Sequence, residues 1–444
     1  MENNTQLKEM IRSMVIDVLQ GQKQEAASSQ PFKQAPRGQV EPGVFDTVDE
    51  AIQAAKAAQA RFEDCTLATR EKVIADIRAA MRPRVQELAQ KTVEETGMGR
   101  VADKVLKLNL TLDKTPGVED LVTECETGDN GMTLYELSAY GVIGAITPST
   151  NPAETLICNT IGMLAAGNAV FFSVHPGAKH LSRLLVSELN QIIAKSIGIE
   201  NLIVTLREPS IESAQEMMLH PDVSLLVVTG GPGVVKQALQ SGKKVIGAGA
   251  GNPPAFVDET ADIKKAAQDI VLGASLDNNI LCIAEKSVVA MRQIEPQLVQ
   301  EMVKAGCVLI ENQQDIQRLV DLTVLPNGTP NKKFVGKNAS VILDAAHIPY
   351  NGDPRLIIMR TPKDHPFAVI EMLMPILPVV TVDSFDEGLD VCLMLEAGLH
   401  HTATMHSLNM ERLNRMARKM KTSIFVKNGP SYAGLGFSGE GTTT

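Results

Sequence analysis

One cysteine lies among residues that suit a reactive thiol. Cys282 follows an Asn-Asn turn and precedes a short apolar run in the segment DNNILCIAEK, residues 277–286. A thiol acts as a nucleophile through its thiolate, and backbone N–H groups at the opening of a helical turn lower the thiol pKa from about 8.5. If the backbone opens such a turn here, we expect Cys282 to have a lowered pKa and to form a covalent intermediate.

The other five cysteines have neighbours of a different kind. Three lie inside apolar helical or strand runs, where a cysteine is usually a small buried hydrophobe, and two have no chemical context. The first three are Cys158, Cys307 and Cys392, and the other two are Cys65 and Cys125. The six cysteines form no close pairs and the N-terminus has no secretory signal pattern, which favours a reducing, cytosolic compartment.

Length and composition exclude several classes of protein. The chain has 444 residues, 44% of them hydrophobic and 21% charged. No run approaches the roughly 20 apolar residues that span a bilayer. A formal net charge of −10 without a Lys/Arg cluster argues against nucleic-acid binding and favours a small-molecule ligand. There is no CxxC or HExxH motif, and His401 and His406 are too far apart for ligation at i, i+4, so we expect no metal site.

Two stretches of alternating pattern predict the fold class. From Tyr140 onward, short apolar runs alternate with longer amphipathic ones, which is typical of an α/β protein with a doubly wound parallel sheet. A second series of the same kind begins after Asn252, and residues 47–97 have a helical pattern that would cover a sheet. We expect two α/β domains, residues 44–251 and 252–428, with a cleft between them and Cys282 near the start of the second.

The two ends of the chain differ from these domains. Residues 1–20 carry an apolar stripe at helical spacing, and residues 21–43 are rich in Gln, Ala, Ser, Pro and Gly. We therefore expect an amphipathic helix on a flexible linker. Its apolar face must dock on its own domain, on a sister subunit or on another protein. Residues 429–444 form a C-terminal tail.

Three loops after predicted strands of the first domain have unusual sequences. They are AITPSTNPAE, VHPGAK and VVTGGPGVV, which begin at residues 145, 174 and 227. Ligands bind at the carboxyl ends of parallel strands, and glycines before a helix let backbone N–H groups approach a phosphate. TGGPG is not a GxGxxG motif, and a Gly-Gly-Pro turn is often plain turn chemistry. A phosphate site and a simple turn both remain open here.

Six motifs together resemble one protein family. In chain order they are ITPSTNP, TGGPGVV, GAGAGNPP, DNNILCIAEK, EMLMPILPVV and NGPSYAGLG. They resemble the CoA-acylating aldehyde dehydrogenases of bacterial microcompartments, which are the acetaldehyde and propionaldehyde enzymes of ethanolamine and propanediol utilisation. The resemblance covers nearly the whole chain. It implies the aldehyde dehydrogenase fold, NAD and coenzyme A as cofactor and co-substrate in one cleft, and a strand arm near residues 122–140 that joins subunits into a homodimer or tetramer.

The resemblance also implies roles for individual residues. Cys282 would be the nucleophile, and the Asn151 side-chain amide would form an oxyanion hole with the Cys282 backbone N–H. The residues that would bind the cofactors are Thr147, Pro148, His175, Pro176, Thr229, Gly230, Gly231, Gly249, Glu371 and Leu373. Glu371 matches a glutamate that holds a ribose. His401 also matches a family histidine, and we interpret it as structural or rim-lining rather than as a base for the CoA thiol.

One departure from hydrolytic aldehyde dehydrogenases is informative. Those enzymes activate water with the glutamate of a Glu-Leu-Gly-Gly motif, and Gly247 stands at that position in an ungapped match through Asn252-Pro253. A thiol with a pKa near 8.5 ionises far more readily than water, so CoA needs less activation. We expect oxidation of acetaldehyde or propionaldehyde to acyl-CoA. A CoA-independent hydrolytic enzyme with a relocated base, or a non-catalytic microcompartment scaffold, are the alternatives.

The ends of the chain also take meaning from the resemblance. Residues 1–20 resemble the encapsulation peptides that bind cargo to microcompartment shell or cargo proteins, which implies a place inside a microcompartment in the bacterial cytoplasm rather than at a membrane. Relatives continue past the point where this chain stops, at GEGTTT. The family also often has Leu-Pro where Ile280-Leu281 stand here, a difference that would reshape the aldehyde pocket.

Overall fold

Strands and helices alternate along most of the protein, which a computed structural model describes over residues 41–437. The strands are β1 Val44–Phe45, β2 Glu124–Gly128, β3 Gly131–Tyr135, β4 Val142–Ile146, β5 Ala169–Ser173, β6 Ile203–Leu206, β7 Val223–Thr229, β8 Lys244–Ala248, β9 Pro254–Val257, β10 Ser287–Met291, β11 Cys307–Ile310, β12 Leu356–Arg360, β13 Ile376–Val382, β14 Thr402–His406 and β15 Ile424–Lys427.

The helices that connect and cover these strands are α1 Val48–Glu63, α2 Leu67–Met81, α3 Val85–Thr96, α4 Val101–Lys114, α5 Pro152–Ala165, α6 Lys179–Ile197, α7 Ile211–Leu219, α8 Pro232–Leu239, α9 Ile263–Ser275, α10 Glu295–Lys304, α11 Gln313–Thr323, α12 Ala339–Ala345, α13 Pro366–Val369, α14 Phe385–Glu396 and α15 Met410–Met420. The predicted helix at residues 1–20, the linker through residue 40 and residues 438–444 of the tail lie outside the described range. No helix within that range is both long and apolar enough to cross a membrane.

Two parallel sheets form the framework of the described residues. The first has the strand order β1-β6-β5-β4-β7-β8 and the second the order β11-β12-β13-β10-β9-β14-β15. All five residues of β4 and all five of β10 are buried, because helices cover both faces of each sheet. The predicted class, α/β with two doubly wound units, is confirmed.

Local sequence explains where several helices begin and end. Thr47 caps α1 by accepting a hydrogen bond from the Glu50 N–H, and Asp49 and Glu50 in its first turn suit the positive end of the helix dipole. Helix α3 ends at Gly97, which has a left-handed φ of 66° and bonds back to the Val93 carbonyl. The helical pattern predicted up to Gly97 is therefore confirmed.

An antiparallel hairpin separates the first helices from β4. Strands β2 and β3 pair from Glu124↔Tyr135 to Gly128↔Gly131, and all ten of their residues are exposed. Met132 and Leu134 are 66% and 57% exposed, so the hairpin carries apolar surface that the rest of residues 41–437 does not cover. It falls within residues 122–140, where the resemblance implies a subunit arm.

The carboxyl edge of the first sheet faces the amino ends of strands in the second sheet. In the first sheet, β5, β4, β7 and β8 are neighbours, so the loops that follow them lie at one edge. The connections that leave β4 and β7 run in opposite directions, which makes this pair the switch point where doubly wound sheets bind ligands. The Gly251 N–H, in the loop after β8, donates to the Glu371 carboxylate before β13, and Lys107 of α4 forms an ion pair with Asp277 before β10.

Candidate active site

The loop that carries Cys282 has an unusual backbone. Asp277, Asn278 and Asn279 all have left-handed φ values, of 51°, 56° and 65°. Among residues with a Cβ, Asp and Asn tolerate this conformation best, because their short polar side chains bond locally. The Asn278 amide donates to the Gly336 carbonyl at 2.9 Å, and the Asn279 amide donates to the carbonyl of Ala274 at 2.7 Å.

A buried ammonium closes this loop. The Nζ of Lys286 donates to the Asn279 carbonyl at 2.6 Å, to the Asn279 side-chain oxygen at 2.7 Å and to the Leu281 carbonyl at 3.0 Å. Burial lowers the pKa of Lys286 to about 8, although the Glu371 carboxylate and the Cys282 thiolate favour its charged form. The amino group therefore fixes the backbone on the N-terminal side of Cys282.

The Cys282 thiol does not have the lowered pKa that the sequence led us to expect. Burial raises its pKa, and the nearby Glu371 carboxylate adds to that effect. The ammonium of Lys286 and the backbone N–H groups of Cys282 and Ile283 act in the expected direction. The expectation was wrong because it counted the N–H groups and left out the cost of burying a thiolate.

Three of the other cysteines are structural residues in apolar surroundings, as their sequence context predicted. Cys307 and Cys392 are buried, and burial raises the pKa of the Cys307 thiol to about 12. Cys158 is partly buried and its pKa is also raised by burial. Cys282 therefore differs from these three in having an ammonium and two backbone N–H groups that favour its thiolate.

Three parts of the chain meet at Gly251. A Cβ on this residue would lie 2.6 Å from the Cys282 carbonyl oxygen and 2.9 Å from Cγ of the His401 ring. The Gly251 N–H donates to the Glu371 carboxylate at 3.2 Å. Gly251 thus lets the nucleophile loop, His401 and Glu371 approach one another, which a larger residue would prevent.

His401 was interpreted as structural or rim-lining, and the structure places it beside Cys282. Its Nδ1 is 2.9 Å from the Thr402 hydroxyl, and its backbone N–H donates to Glu396 at 3.0 Å. Burial lowers the imidazole pKa, and the Lys286 ammonium lowers it further, so the ring is neutral at pH 7. Resemblance to the family was the signal for His401, and it did not show that the histidine lies close to the cysteine loop.

Asn151 lies at the end of the loop that connects β4 to α5. It is the N-cap residue of that helix, and its side-chain oxygen accepts a hydrogen bond from the Lys107 ammonium. Its Nδ2 donates to the Thr150 hydroxyl over a long 3.3 Å. The amide oxygen of Asn151 is therefore occupied by the Lys107 ammonium. The amide nitrogen can still donate a hydrogen bond to a ligand.

Most of the predicted cofactor residues gather at the carboxyl edge of the first sheet. Thr147 and Pro148 follow β4, His175 and Pro176 follow β5, Thr229, Gly230 and Gly231 end β7 and open α8, and Gly249 follows β8. His175 accepts a hydrogen bond from the Gly177 N–H at 3.0 Å within an exposed turn.

This edge has features that suit a dinucleotide. The Thr147 hydroxyl is buried and has no hydrogen-bond partner among the described residues, which leaves it available to a ligand. Gly231 caps α8, whose first-turn N–H groups attract a phosphate. A Cβ at Gly231 or Gly249 would meet no atom within 4 Å, so space lies beside both.

Glu371 and Leu373 approach from the second domain, on the loop before β13. Burial raises the pKa of Glu371, against the influence of Lys286 and of the Gly251 N–H. Leu373 has a left-handed φ of 52° and its carbonyl accepts from the Gly336 N–H at 2.9 Å. Glu371 thus lies near Cys282, while the Leu373 carbonyl bonds to the turn at Gly336.

Gly247 lies on β8, the exposed edge strand of the first sheet. A Cβ there would point at the Val235 side chain of α8, 3.1 Å away.

Within residues 41–437, no group of three or more His, Cys, Asp and Glu side chains could hold a metal ion. The ionisable groups that act on the Cys282 thiol are Glu371 and Lys286.

Comparison with known proteins agrees with this arrangement. The family model described as "Aldehyde dehydrogenase family" matches residues 18–442. The propanal dehydrogenase (CoA-propanoylating) of Salmonella typhimurium is 49% identical over 443 residues, covering 100% of this chain and 93% of the relative. The acetaldehyde dehydrogenase (acetylating) EutE of Escherichia coli is 46% identical over 409 residues, covering 91% and 87%.

Solved structures give the same result for the fold. The propionaldehyde dehydrogenase of Rhodopseudomonas palustris, solved with bound CoA and an acylated cysteine, has a TM-score of 0.89 and 48% identity, covering 91% of this chain and 93% of that one. A propionaldehyde dehydrogenase from a fucose utilisation microcompartment of Clostridium phytofermentans has a TM-score of 0.89 and 47% identity, with the same coverage. The chain belongs to the aldehyde dehydrogenase family.

Proposed function

We propose that this protein oxidises a short-chain aldehyde, acetaldehyde or propionaldehyde, to the acyl-CoA through a thioester on Cys282. The observation that carries the proposal is the meeting of Cys282, neutral His401 and Glu371 around Gly251, in a chain that has glycine at position 247. The relatives named CoA-propanoylating and acetylating support the same chemistry.

The first step is addition of the Cys282 thiolate to the aldehyde carbonyl. The Lys286 ammonium and the N–H groups of Cys282 and Ile283 favour the thiolate, and they offset part of the cost of burying it. The negative oxygen that forms would be held by Nδ2 of Asn151 and by the Cys282 N–H. Such donors act strongly because they are already oriented when charge develops.

The dinucleotide would lie along the carboxyl edge of the first sheet. Thr229, Gly230 and Gly231 would hold its phosphates at the start of α8, and Thr147 and Glu371 would bind its other polar groups. When bound, NAD supplies the hydride acceptor that turns the thiohemiacetal into a thioester. Thr147 supports this assignment, because its buried hydroxyl lacks a partner among the described residues.

CoA then takes the acyl group from Cys282. His401 is neutral at pH 7 and can accept the proton of the CoA thiol, whose sulfur attacks the thioester carbonyl and releases the Cys282 thiolate. Gly247 supplies no carboxylate to activate water at the point where hydrolytic relatives carry one. The thioester therefore persists until a thiol arrives.

The wider setting of the enzyme is part of the same proposal. Residues 44–251 would form the NAD and CoA domain, residues 252–428 the catalytic domain, and the exposed hairpin β2–β3 the arm that joins subunits into a dimer or tetramer. Residues 1–20 would bind microcompartment shell or cargo proteins within the bacterial cytoplasm. The relative from a fucose utilisation microcompartment supports that setting.

NADH formation from acetaldehyde and propionaldehyde, with and without CoA, tests the activity. We expect sustained turnover only with CoA, and none in Cys282→Ala. Cys158→Ala is the matched control, because Cys158 is also a thiol whose pKa is raised by burial. Turnover without CoA, with oxygen from ¹⁸O-labelled water entering a carboxylic acid, would show a hydrolytic enzyme instead. Turnover that survives in Cys282→Ala would remove the thioester from the mechanism.

A further inference from the structure

Two buried lysines of α4 connect the Asn151 loop to the Cys282 loop. Lys104 and Lys107 are 0% and 5% exposed, and both form ion pairs with Asp277, at 2.9 and 2.5 Å. Asp277 is completely buried and opens the left-handed segment that leads to Cys282. This cluster is not used by the chemistry described above, yet it joins the parts of the chain that would form the two halves of the oxyanion hole.

The two lysines differ in what they contact on the Asn151 side. Lys104 donates to the Thr150 backbone carbonyl at 2.6 Å, whereas Lys107 donates to the Asn151 side-chain oxygen and pairs with Glu154 at 3.0 Å. Burial alone would lower the pKa of Lys107, but the carboxylates of Asp277 and Glu154 raise it. Lys107 is therefore an ammonium, which donates hydrogen bonds and accepts none.

A donor-only partner decides which way the Asn151 amide faces. A carboxamide has an acceptor oxygen and a donor nitrogen at nearly equivalent positions, and rotation by half a turn exchanges them. With Lys107 on one side, the exchanged orientation would set the amide N–H groups against the ammonium. The oxygen must face Lys107, and the nitrogen must face the opposite side.

We propose that Lys107 is a positioning residue of the oxyanion hole, which holds the Asn151 amide nitrogen towards the reacting carbonyl and ties it through Asp277 to the cysteine loop. This inference rests on the proposed function, because it assumes that Asn151 donates to the oxyanion. Glu154 and Asp277 fix the ammonium, and the ammonium fixes the amide. The arrangement sets the donor before substrate binds, which is the condition for effective charge stabilisation.

The test is a double-mutant cycle on the first half of the reaction. Rapid mixing of enzyme and NAD with aldehyde, without CoA, gives a burst of NADH that reports thioester formation alone. The variants are Lys107→Met, Asn151→Ala, the two combined, and Lys104→Met with and without Asn151→Ala. Lys104 is the matched control, since it is an equally buried partner of Asp277 whose ammonium donates to the Thr150 backbone carbonyl rather than to the Asn151 side chain.

Coupling between the substitutions decides the outcome. Loss of an oxyanion donor costs about 10²–10³ in rate, so we expect Asn151→Ala to slow the burst by that factor and Lys107→Met by about tenfold or more. In the Asn151→Ala background, Lys107→Met should have almost no further effect, because no amide remains to be oriented. Lys104→Met should change the rate by the same factor in both backgrounds.

Other results would overturn the inference. A purely structural Lys107 would slow the burst by the same factor with or without Asn151, or leave it at the wild-type rate. If Lys107→Met melts below the assay temperature, Lys107→Met/Glu154→Gln removes the opposite charge as well and replaces it in the cycle. A wild type without any burst would refute the proposed function and this inference together, whereas an active wild type with independent effects would refute the inference alone.

Discussion

Substitution of Gly251 by alanine should greatly slow the NADH burst while leaving the protein folded. The added Cβ would lie 2.6 Å from the Cys282 carbonyl oxygen and 2.9 Å from Cγ of His401. An ordinary contact begins at 3.4 Å, so the carbonyl must retreat by about 0.8 Å and the ring by about 0.5 Å. The carbonyl cannot move alone, because Lys286 holds the adjacent Leu281 carbonyl at 3.0 Å.

Displacements of this size at a nucleophile are costly. Misplacement by about 1 Å can lower a rate about 10²-fold, so we expect a fall of about that size in the NADH burst of Gly251→Ala. Overpacking a buried site also costs about 1–3 kcal/mol in the free energy of unfolding, which urea denaturation would measure.

A second glycine provides the control. Gly162 lies exposed within α5, and a Cβ there meets no atom within 4 Å, so Gly162→Ala should keep full activity and gain about 0.5–1 kcal/mol of stability. A Gly251→Ala burst within about threefold of the wild-type rate would show that close packing at Gly251 does not position Cys282.

Three further substitutions test separate parts of the account. His401→Asn should leave the NADH burst intact and slow CoA-dependent turnover by about 10²-fold or more; equal slowing of both phases would contradict a role as base for CoA. Glu371→Gln should raise the KM for NAD without allowing CoA-independent turnover. CoA-independent turnover by the wild type that Glu371→Gln abolishes would instead identify Glu371 as a water-activating base. Burial raises the pKa of Glu285 to about 7, so the folded state holds this proton more tightly than the unfolded chain does. The resulting stability is present below about pH 4.5 and is lost as pH rises through 7. Urea unfolding should therefore show the wild type losing stability relative to Glu285→Gln between pH 5 and 7.5, and parallel curves would refute this.

The fold class was predictable because strands and helices alternate along the chain, and each leaves its own local pattern of apolar residues. Strands such as β4 and β5 are continuous apolar runs, and the helices between them are long and amphipathic. Strand β14 escaped prediction because its sequence, TATMH, is largely polar although all five residues are buried. Thr404, for example, is 0% exposed inside the second sheet. The apolar-run signal fails for a strand of this kind, which is buried on both faces although every second residue is polar.

The site was predictable only on one side of the cleft. Loops after neighbouring strands of a parallel sheet share an edge, so Thr147, Thr229 and Gly249 could be grouped from the order of elements. Cys282 and Glu371 lie instead at the amino ends of strands in the second sheet. Local sequence context drew attention to Cys282, and motif resemblance brought in Glu371; sheet geometry predicted neither.

Local sequence patterns could not predict contacts between distant segments of the chain. Lys107 and Asp277 lie on a helix and a loop far apart in the chain, and neither has local neighbours that reveal an ion pair. The raised pKa of the Cys282 thiol was missed for a similar reason, since burial depends on the packing of both domains around the loop. Sequence identified the chemical groups, and the tertiary structure determined their protonation and partners.

If Cys282 carries the acyl group on its way to CoA, mass spectrometry can detect that group on the protein. The measurement is made on the protein mixed with propionaldehyde and NAD, before and after CoA is added. We predict a propionyl group on the peptide that contains Cys282, stable in buffer and removed within the mixing time by CoA with formation of propionyl-CoA. An adduct that water removes as fast as CoA does, or no adduct on Cys282 while NADH accumulates, would contradict the account.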